Sequence, residues 1–333
     1  MRKTTVTSVD VARLAKVSQS AVSRAFSPGA SVSEETRERV FAAARELGYR
    51  PNVLARAVIS GRSRLIAILV AYLDNHFYPL VLELLSRALQ ARGYQVLLFM
   101  TETGRQDEVV QKMLQYQVEG IVMASATLSS SLARECAKTG TPVLLFNRYV
   151  PSLPVSSVTS DNIEGGRLLA HLLAGGGHRR IAFIAGQEDS STSRDREAGF
   201  YKGLGECGMT ASHRGVGAYT AAGAVAAARR MLDGAGPPDA IFVANDHMAF
   251  PVMDEVRRRG LRIPEDLSIV GYDDVPEAGW GGYALTTVSQ PAAAMVDAAV
   301  TILLEQVESS DVQRRAAVLP CRLVVRGSAR VAG

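Results

Sequence analysis

Two short helices joined by a tight turn, with a third helix behind them, are written into the first fifty residues, which run VTSVDVARLAKVSQSAVSRAF and then SEETRERVFAAARELGYRPN. Thr7 precedes Asp10 by three residues, the spacing of a capping box. Val9 and Ala12 are expected to face inward, and Arg13 and Lys16 to face water. Ser18 is the expected N-cap of a second helix, Gln19 to Phe26. Ala12 and Ala15 are small where the two helices must cross, and Val17 and Val22 are placed to fill the space between them. Ser33 caps the third helix, with Glu34 and Glu35 in the first turn, where the helix dipole favours acids. Val40, Ala43, Ala44 and Leu47 form its buried stripe; Gly48 ends it and Pro51 prevents its resumption. A helix-turn-helix of this kind sends its second helix into the DNA major groove.

The charge is distributed in agreement with that reading. Residues 1–64 hold 12 Lys and Arg against 5 Asp and Glu, a net of +7, whereas the whole chain is +4 and the remainder therefore −3. A basic excess confined to one end is the footprint of a phosphate-contacting module. A plain helical bundle with solvated charges would not require pattern, caps and charge to agree.

From about residue 64 onward, apolar runs alternate with amphipathic segments. Strands are expected at Leu65–Val70, Val96–Met100, Ile121–Ala124, Val143–Phe146, Ile181–Ala185, Ala240–Ala244 and Leu267–Tyr272, with helices such as Pro79–Arg92 and Asp246–Arg259 between them. This is βαβ repetition, hence parallel sheet covered by helices on both faces. Its length calls for two lobes. Ligands of open α/β sheets bind beyond the carboxyl ends of the strands, and the polar residues of this chain gather there. Asn75, His76, Phe77 and Tyr78 follow the first strand, Ser125 the third, and Asn147 and Arg148 the fourth. Arg194 and Arg196 open a helix after the Ile181 strand; Asn245 and Asp246, then Asp273 and Asp274, follow two later strands. Carboxylates, amides, arginines and aromatics around one cleft suit a sugar or another small polyhydroxy metabolite. Plainer readings stand beside these: Asp161 and Asp246 as helix caps, Asp274 as a solvated acid, Phe77 and Tyr78 as lobe core, Trp280 as either core or ligand wall. Gly175, Gly176 and Gly177 read as a turn, since neither a P-loop nor a dinucleotide fingerprint surrounds them.

Cys136, Cys207 and Cys321 lack both disulfide-framework and metal-ligand spacing. Nothing at the N-terminus resembles a signal peptide, and no apolar run is long enough to span a bilayer. A reduced, cytoplasmic protein is expected, without metal, cofactor or membrane.

The string DVARLAKVSQSAVSRAF, followed by SVSEETRERV and LGYRPN, resembles the lac repressor (LacI/GalR) family of bacterial transcription regulators. The likeness continues through Gly61-Arg62-Ser63, Asp161-Asn162, Gly165-Gly166, GHRRIAFIAG, Asn245-Asp246, PEDLSIVGYDD and LTTVSQP, in order and along essentially the whole chain. The resemblance implies an α/β protein with a helix-turn-helix head (residues 1–50), a hinge helix (51–63) and a two-lobed periplasmic-binding-protein-like core (64–333), with the chain crossing between lobes near 161, 290 and 322. It makes Gln19 to Phe26 the recognition helix. Gln19, Ser20 and Arg24 would reach base edges, where Arg suits guanine and Gln suits adenine, while Thr7, Ser18 and Ser23 would hold phosphates or cap. The family usually has Gly where this chain has Lys16, and Thr where it has Ala21. In the hinge, Asn52, Ala55 and Arg56 would contact DNA, and Val58 stands where a leucine usually wedges into the minor groove. Asp161, Arg196, Asn245 and Asp273 match effector-gripping positions, and Phe77, Tyr78, Arg148, Tyr219 and Trp280 match or neighbour the pocket wall. Replacing Arg196 by Ala is accordingly expected to remove the ligand response and to spare DNA binding.

The resemblance further implies a homodimer on a palindromic double-stranded operator, under the control of a sugar or sugar-acid effector. A transport solute-binding protein would share the two-lobed core, but the fused basic head argues against it. A Rossmann-type enzyme would need a nucleophile–base constellation or a cofactor fingerprint, and neither is present.

Overall fold

The computed structural model describes residues 6–26, 29–50, 62–101, 105–124, 129–309 and 313–331. The chain divides into two compact units, Met1–Arg64 and Leu65–Gly333. In the first, α1 (Ser8–Ala15), α2 (Gln19–Ala25) and α3 (Glu34–Leu47) are set by their caps. The Asp10 carboxylate accepts from the Thr7 backbone N–H at 3.0 Å and from its hydroxyl at 2.7 Å, and these bonds hold its pKa below the usual range. Ser18 Oγ accepts from the Ala21 N–H and Ser33 Oγ from the Thr36 N–H. Gly48 closes α3 in the left-handed region at φ 66°.

Val11, Ala12, Ala15, Val22, Ala25, Val40, Ala43 and Ala44 form the core of this unit, with Val17, Phe26, Leu47 and Tyr49 packed on it. One expectation fails here. Val9 is 45% exposed and Val11 fully buried. Two residues turn an α-helix by about 200°, so the stripe that includes Val11, Ala12 and Ala15 leaves Val9 on the opposite face.

The second unit runs β1 (Leu65–Val70), α4 (Phe77–Ala91), β2 (Gln95–Met100), α5 (Gln106–Gln115), β3 (Gly120–Ala124), α6 (Ser130–Lys138), β4 (Val143–Phe146) and β5 (Ser156–Ser160). It continues with α7 (Asn162–Gly175), β6 (Ile181–Ala185), α8 (Ser191–Glu206), β7 (His213–Val216), α9 (Ala221–Asp233), β8 (Ala240–Val243), α10 (Asp246–Arg258), β9 (Ser268–Asp273), a 3-10 turn (Pro276–Gly279) and β10 (Thr286–Ser289). Then come α11 (Ala292–Glu308), β11 (Ala316–Leu319) and β12 (Arg322–Val324). One six-stranded sheet has the order β11-β5-β4-β3-β1-β2 and the other β12-β10-β9-β8-β6-β7. All pairings are parallel except β10 with β12.

The chain passes from the first sheet to the second after β5, returns after β10, and passes over again between β11 and β12. The central strands are buried throughout, as parallel strands covered on both faces must be. In the second lobe α7 and α8 pack backbone to backbone. A Cβ on Gly199 would lie 1.9 Å from the Ile163 carbonyl oxygen, and one on Gly166 2.2 Å from that of Arg196. That closeness, open only to glycine, sets Arg196 beside Asn162.

Candidate DNA-reading face and ligand cleft

On α2, Gln19, Ser20, Ser23 and Arg24 are exposed while Val22 and Ala25 are buried. The exposed four fall at i, i+1, i+4 and i+5 and so share one helix face. Gln19 Nε2 donates to Ser8 Oγ at 3.0 Å, and the hydroxyls of Ser18 and Ser20 lie 2.9 Å apart. Thr7 faces Asp10. Lys16 ends α1 at φ 53°, ψ 48°, a left-handed geometry that costs a lysine more than a glycine. Asn52, Ala55, Arg56 and Val58 lie outside the described residues, as does Ser125.

In the core, Arg196 is 2% exposed. Its Nε donates to Asn162 Oδ1 at 2.8 Å, and its two terminal nitrogens to the Ala244 carbonyl at 2.6 Å and Asp273 Oδ1 at 3.2 Å. Asp273 also accepts from Gln290 Nε2 at 2.7 Å. Burial raises the Asp273 carboxyl, against the opposing effects of Arg196, Gln290 and Asn75. Arg196, read from sequence as a ligand grip, is thus bonded along both edges within the protein.

The caps also redistribute roles. Asp161 caps α7, its Oδ1 accepting from the Glu164 N–H at 2.9 Å. Asn245 caps α10 through Oδ1 and the Met248 N–H. Asp246, expected as a cap, instead lies fully buried and accepts from the Val275 N–H at 3.1 Å and the Thr287 hydroxyl at 2.7 Å. Burial and the neighbouring Asp273 push its carboxyl well above the usual range. Asp274, expected in solvent, pairs with Arg326 at 2.6 Å.

Arg148 is 3% exposed. Burial weighs most against its charge and the phenols of Tyr78, Tyr72 and Tyr219 act the other way, the last with its ring centroid 6.0 Å away. A terminal nitrogen donates to Gln187 Oε1 at 3.5 Å, and the Tyr72 hydroxyl is a second, neutral hydrogen-bond partner. Ring attraction of a cation is worth about 0.5–2 kcal/mol, whereas taking an ion out of water costs several. Tyr219 is held by Gly186, where a Cβ would lie 2.2 Å from the ring, and its hydroxyl lies 3.2 Å from Thr192 Oγ1. Three buried polar atoms at the strand ends have no hydrogen-bond partner: Asn147 Oδ1, Arg148 Nε and Asn245 Nδ2.

Two expected wall residues fall elsewhere. Phe77 belongs to the apolar core of the first lobe, with Tyr78 edge-on beside it at 5.7 Å. Trp280, at 57% exposure, is not brought into the cluster; the turn before it ends at Gly279 and leaves the indole in solvent. Sequence reading missed Tyr72 and Gln290 as members of the cluster. Each stands two or fewer residues beyond the end of a strand, which was the signal available.

The lobes meet closely. The Tyr149 N–H donates to Ser191 Oγ at 3.1 Å and its hydroxyl to Asp195 at 3.0 Å; Ser160 Oγ donates to Gln290 at 2.8 Å. His76 Nδ1 lies 2.9 Å from Glu277 and His247 Nε2 3.6 Å from Asp74. A hollow of about 470 Å³ lies on the first lobe beyond the ends of β1 and β2, beside Ala71, Met100, Thr101 and Arg105. Among the described residues no group of His, Cys, Asp and Glu is placed to hold a metal, and no helix is long and apolar enough to cross a membrane.

A helix-turn-helix head on one chain with a two-lobed α/β core defines a DNA-binding transcription regulator of the effector-controlled kind. Residues 7–52 match the model of bacterial regulatory proteins of the lacI family, and residues 169–329 that of the periplasmic binding protein-like domain. The HTH-type transcriptional repressor CytR of Escherichia coli K12 is 31% identical over 99% of this chain and 98% of its own. Among solved structures, the lac repressor dimer bound to operator and the anti-inducer ONPF superposes with a TM-score of 0.87, at 31% identity over 97% of this chain and 99% of that one. The complex of the transcriptional regulator CelR with cellobiose gives 0.74, at 33% identity over 97% and 99%. The chain belongs to the lacI family of bacterial regulatory proteins.

Proposed function

We propose that this regulator is a repressor that binds a palindromic operator as a homodimer and is controlled by a small hydroxylated metabolite held between its lobes. Two relatives support it: a lac repressor dimer bound to operator, and CelR in complex with cellobiose. At the head, Gln19, Ser20 and Arg24 read base edges from the exposed face of α2, and Thr7, Ser18 and Ser23 contact the phosphate backbone. Asn52, Ala55, Arg56 and Val58 form the hinge contact. The effector site draws on Arg148, Tyr78, Tyr219, Asn245, Asp273 and Arg196, with Asp161 at its edge.

The observation that carries the effector reading is the set of three orphaned buried polar atoms at the strand ends. Buried polar groups are almost always paired, and a ligand's hydroxyls would satisfy these. Effector binding shifts the balance between lobe arrangements and with it the population of the DNA-competent state.

The test is selection of genomic fragments by purified, effector-free protein. Enrichment of a palindrome with a central CpG step is expected, with Val58→Ala losing more affinity for that site than for random DNA. Binding without sequence preference would count against the reading.

A further inference from the structure

Among the described residues the core buries two arginines, Arg148 and Arg196, and pairs one of them with a carboxylate. Arg196 meets Asp273 at 3.2 Å. Arg148 is as deeply buried, yet none of the ion pairs formed among the described residues includes it. Its Nε is bare, and its hydrogen-bond partners, the Gln187 amide at 3.5 Å and the Tyr72 hydroxyl, are both neutral. The attraction of the Tyr219 ring, 6.0 Å away, is the smaller quantity beside the cost of burying the charge.

The residues on either side of the seam are also incomplete. Asn147, next in the chain, holds a left-handed φ of 55° and an unpartnered Oδ1. Backbone strain of this kind in a non-glycine collects at ligand clamps. Asn245 has its amide orientation set by the cap bond to the Met248 N–H, which leaves Nδ2 as a fixed donor without an acceptor. Two donors and an uncompensated positive charge are thus left open, while the carboxylate of Asp273 is already engaged by Arg196 and Gln290.

We propose that the effector carries an anionic oxygen group, a carboxylate or a phosphate, that docks on the guanidinium of Arg148, with its hydroxylated body reaching Asn147 and Asn245. This rests on the effector reading above and narrows it: a neutral sugar would leave the cation uncompensated, whereas a sugar acid or sugar phosphate supplies the counter-ion. The planar edge of an arginine matches both oxyanions in bidentate fashion.

The experiment is thermal melting of the full chain and its Arg148→Met variant at matched ionic strength, with glucose, glucuronate, glucose 6-phosphate or inorganic phosphate added. Without ligand, the variant is expected to melt no lower than the wild type, because methionine fills the space without a charge. The wild type is expected to gain several degrees, saturably, from at least one anion and nothing from glucose. The variant should lose that gain or require at least tenfold more anion. A larger effect of glucuronate than of glucose 6-phosphate assigns a carboxylate; the reverse assigns a phosphate.

A variant that melts several degrees lower without ligand would make Arg148 a structural cation and overturn the proposal. So would an equal anion response in both proteins, or a wild type moved by glucose alone or by none of the anions. Operator selection is read separately: intact operator binding released by a neutral sugar sinks this inference and leaves the regulator standing.

Discussion

The guanidinium of Arg196 sits 3.7 Å over the ring centroid of Tyr272. The ring fixes the plane of the cation, and its edges then meet Asn162, Ala244 and Asp273. This makes Arg196 a structural tie between α7, the residue that follows β8, and β9, as well as a neighbour of the cleft. Arg196→Ala is therefore expected to cost about 3–5 kcal/mol, the usual penalty for leaving one partner of a buried pair behind. Arg196→Lys should not rescue it, because an ammonium cannot reach three acceptors in one plane. Urea unfolding of the full chain measures this. A stable Arg196→Ala protein that merely fails to respond to ligand would restore the simpler role expected from sequence.

Asp246 gives a dependence on pH. A carboxyl whose native pKa is raised keeps a proton that the unfolded chain releases, so its contribution is most favourable in acid. That contribution is lost as the pH climbs from about 4 through the native value. Asp246→Asn keeps the geometry, since Oδ1 can accept from the Val275 N–H while Nδ2 donates to the Thr287 hydroxyl. The variant should match the wild type in acid and exceed it on the alkaline side by an amount of order 1 kcal/mol. Melting temperatures across the range decide it; identical slopes in the two proteins would contradict the assignment.

Lys16 ends α1 in a conformation suited to glycine. Lys16→Gly should stabilise the head by about 1 kcal/mol. Amide hydrogen exchange in α1 and α2 of the full chain should slow by roughly fivefold if opening of the head governs exchange. Faster exchange would mean that the lysine side chain contributes more than its backbone costs.

The caps and the apolar strands were legible because each depends on a few neighbouring residues: Ser18, Ser33 and Gly48 announce themselves locally. The polar strands were not. SSVTS at β5 is buried although four of its five residues bear hydroxyls, and HRGV at β7 lies at a sheet edge where no apolar run is required. At the cleft, residue types were readable and assignments were not. Asn245 and Asp246 are adjacent, and only the register of α10 decides which one caps and which is driven inward. Trp280 has the chemistry of a ligand wall, but its place depends on how one short turn leaves the sheet.

Each sheet takes an outer strand from the far end of the chain. Ala316 of β11 pairs with Ser157 of β5, and Leu323 of β12 with Val288 of β10. During synthesis neither lobe can complete its sheet until residues 316–324 have emerged, and until then β5 and β10 stand as open edges. Such edges recruit other chains. A product truncated before residue 316 would therefore lose more than its tail: it would carry two unfinished sheets, and aggregation rather than a shortened regulator is its expected fate.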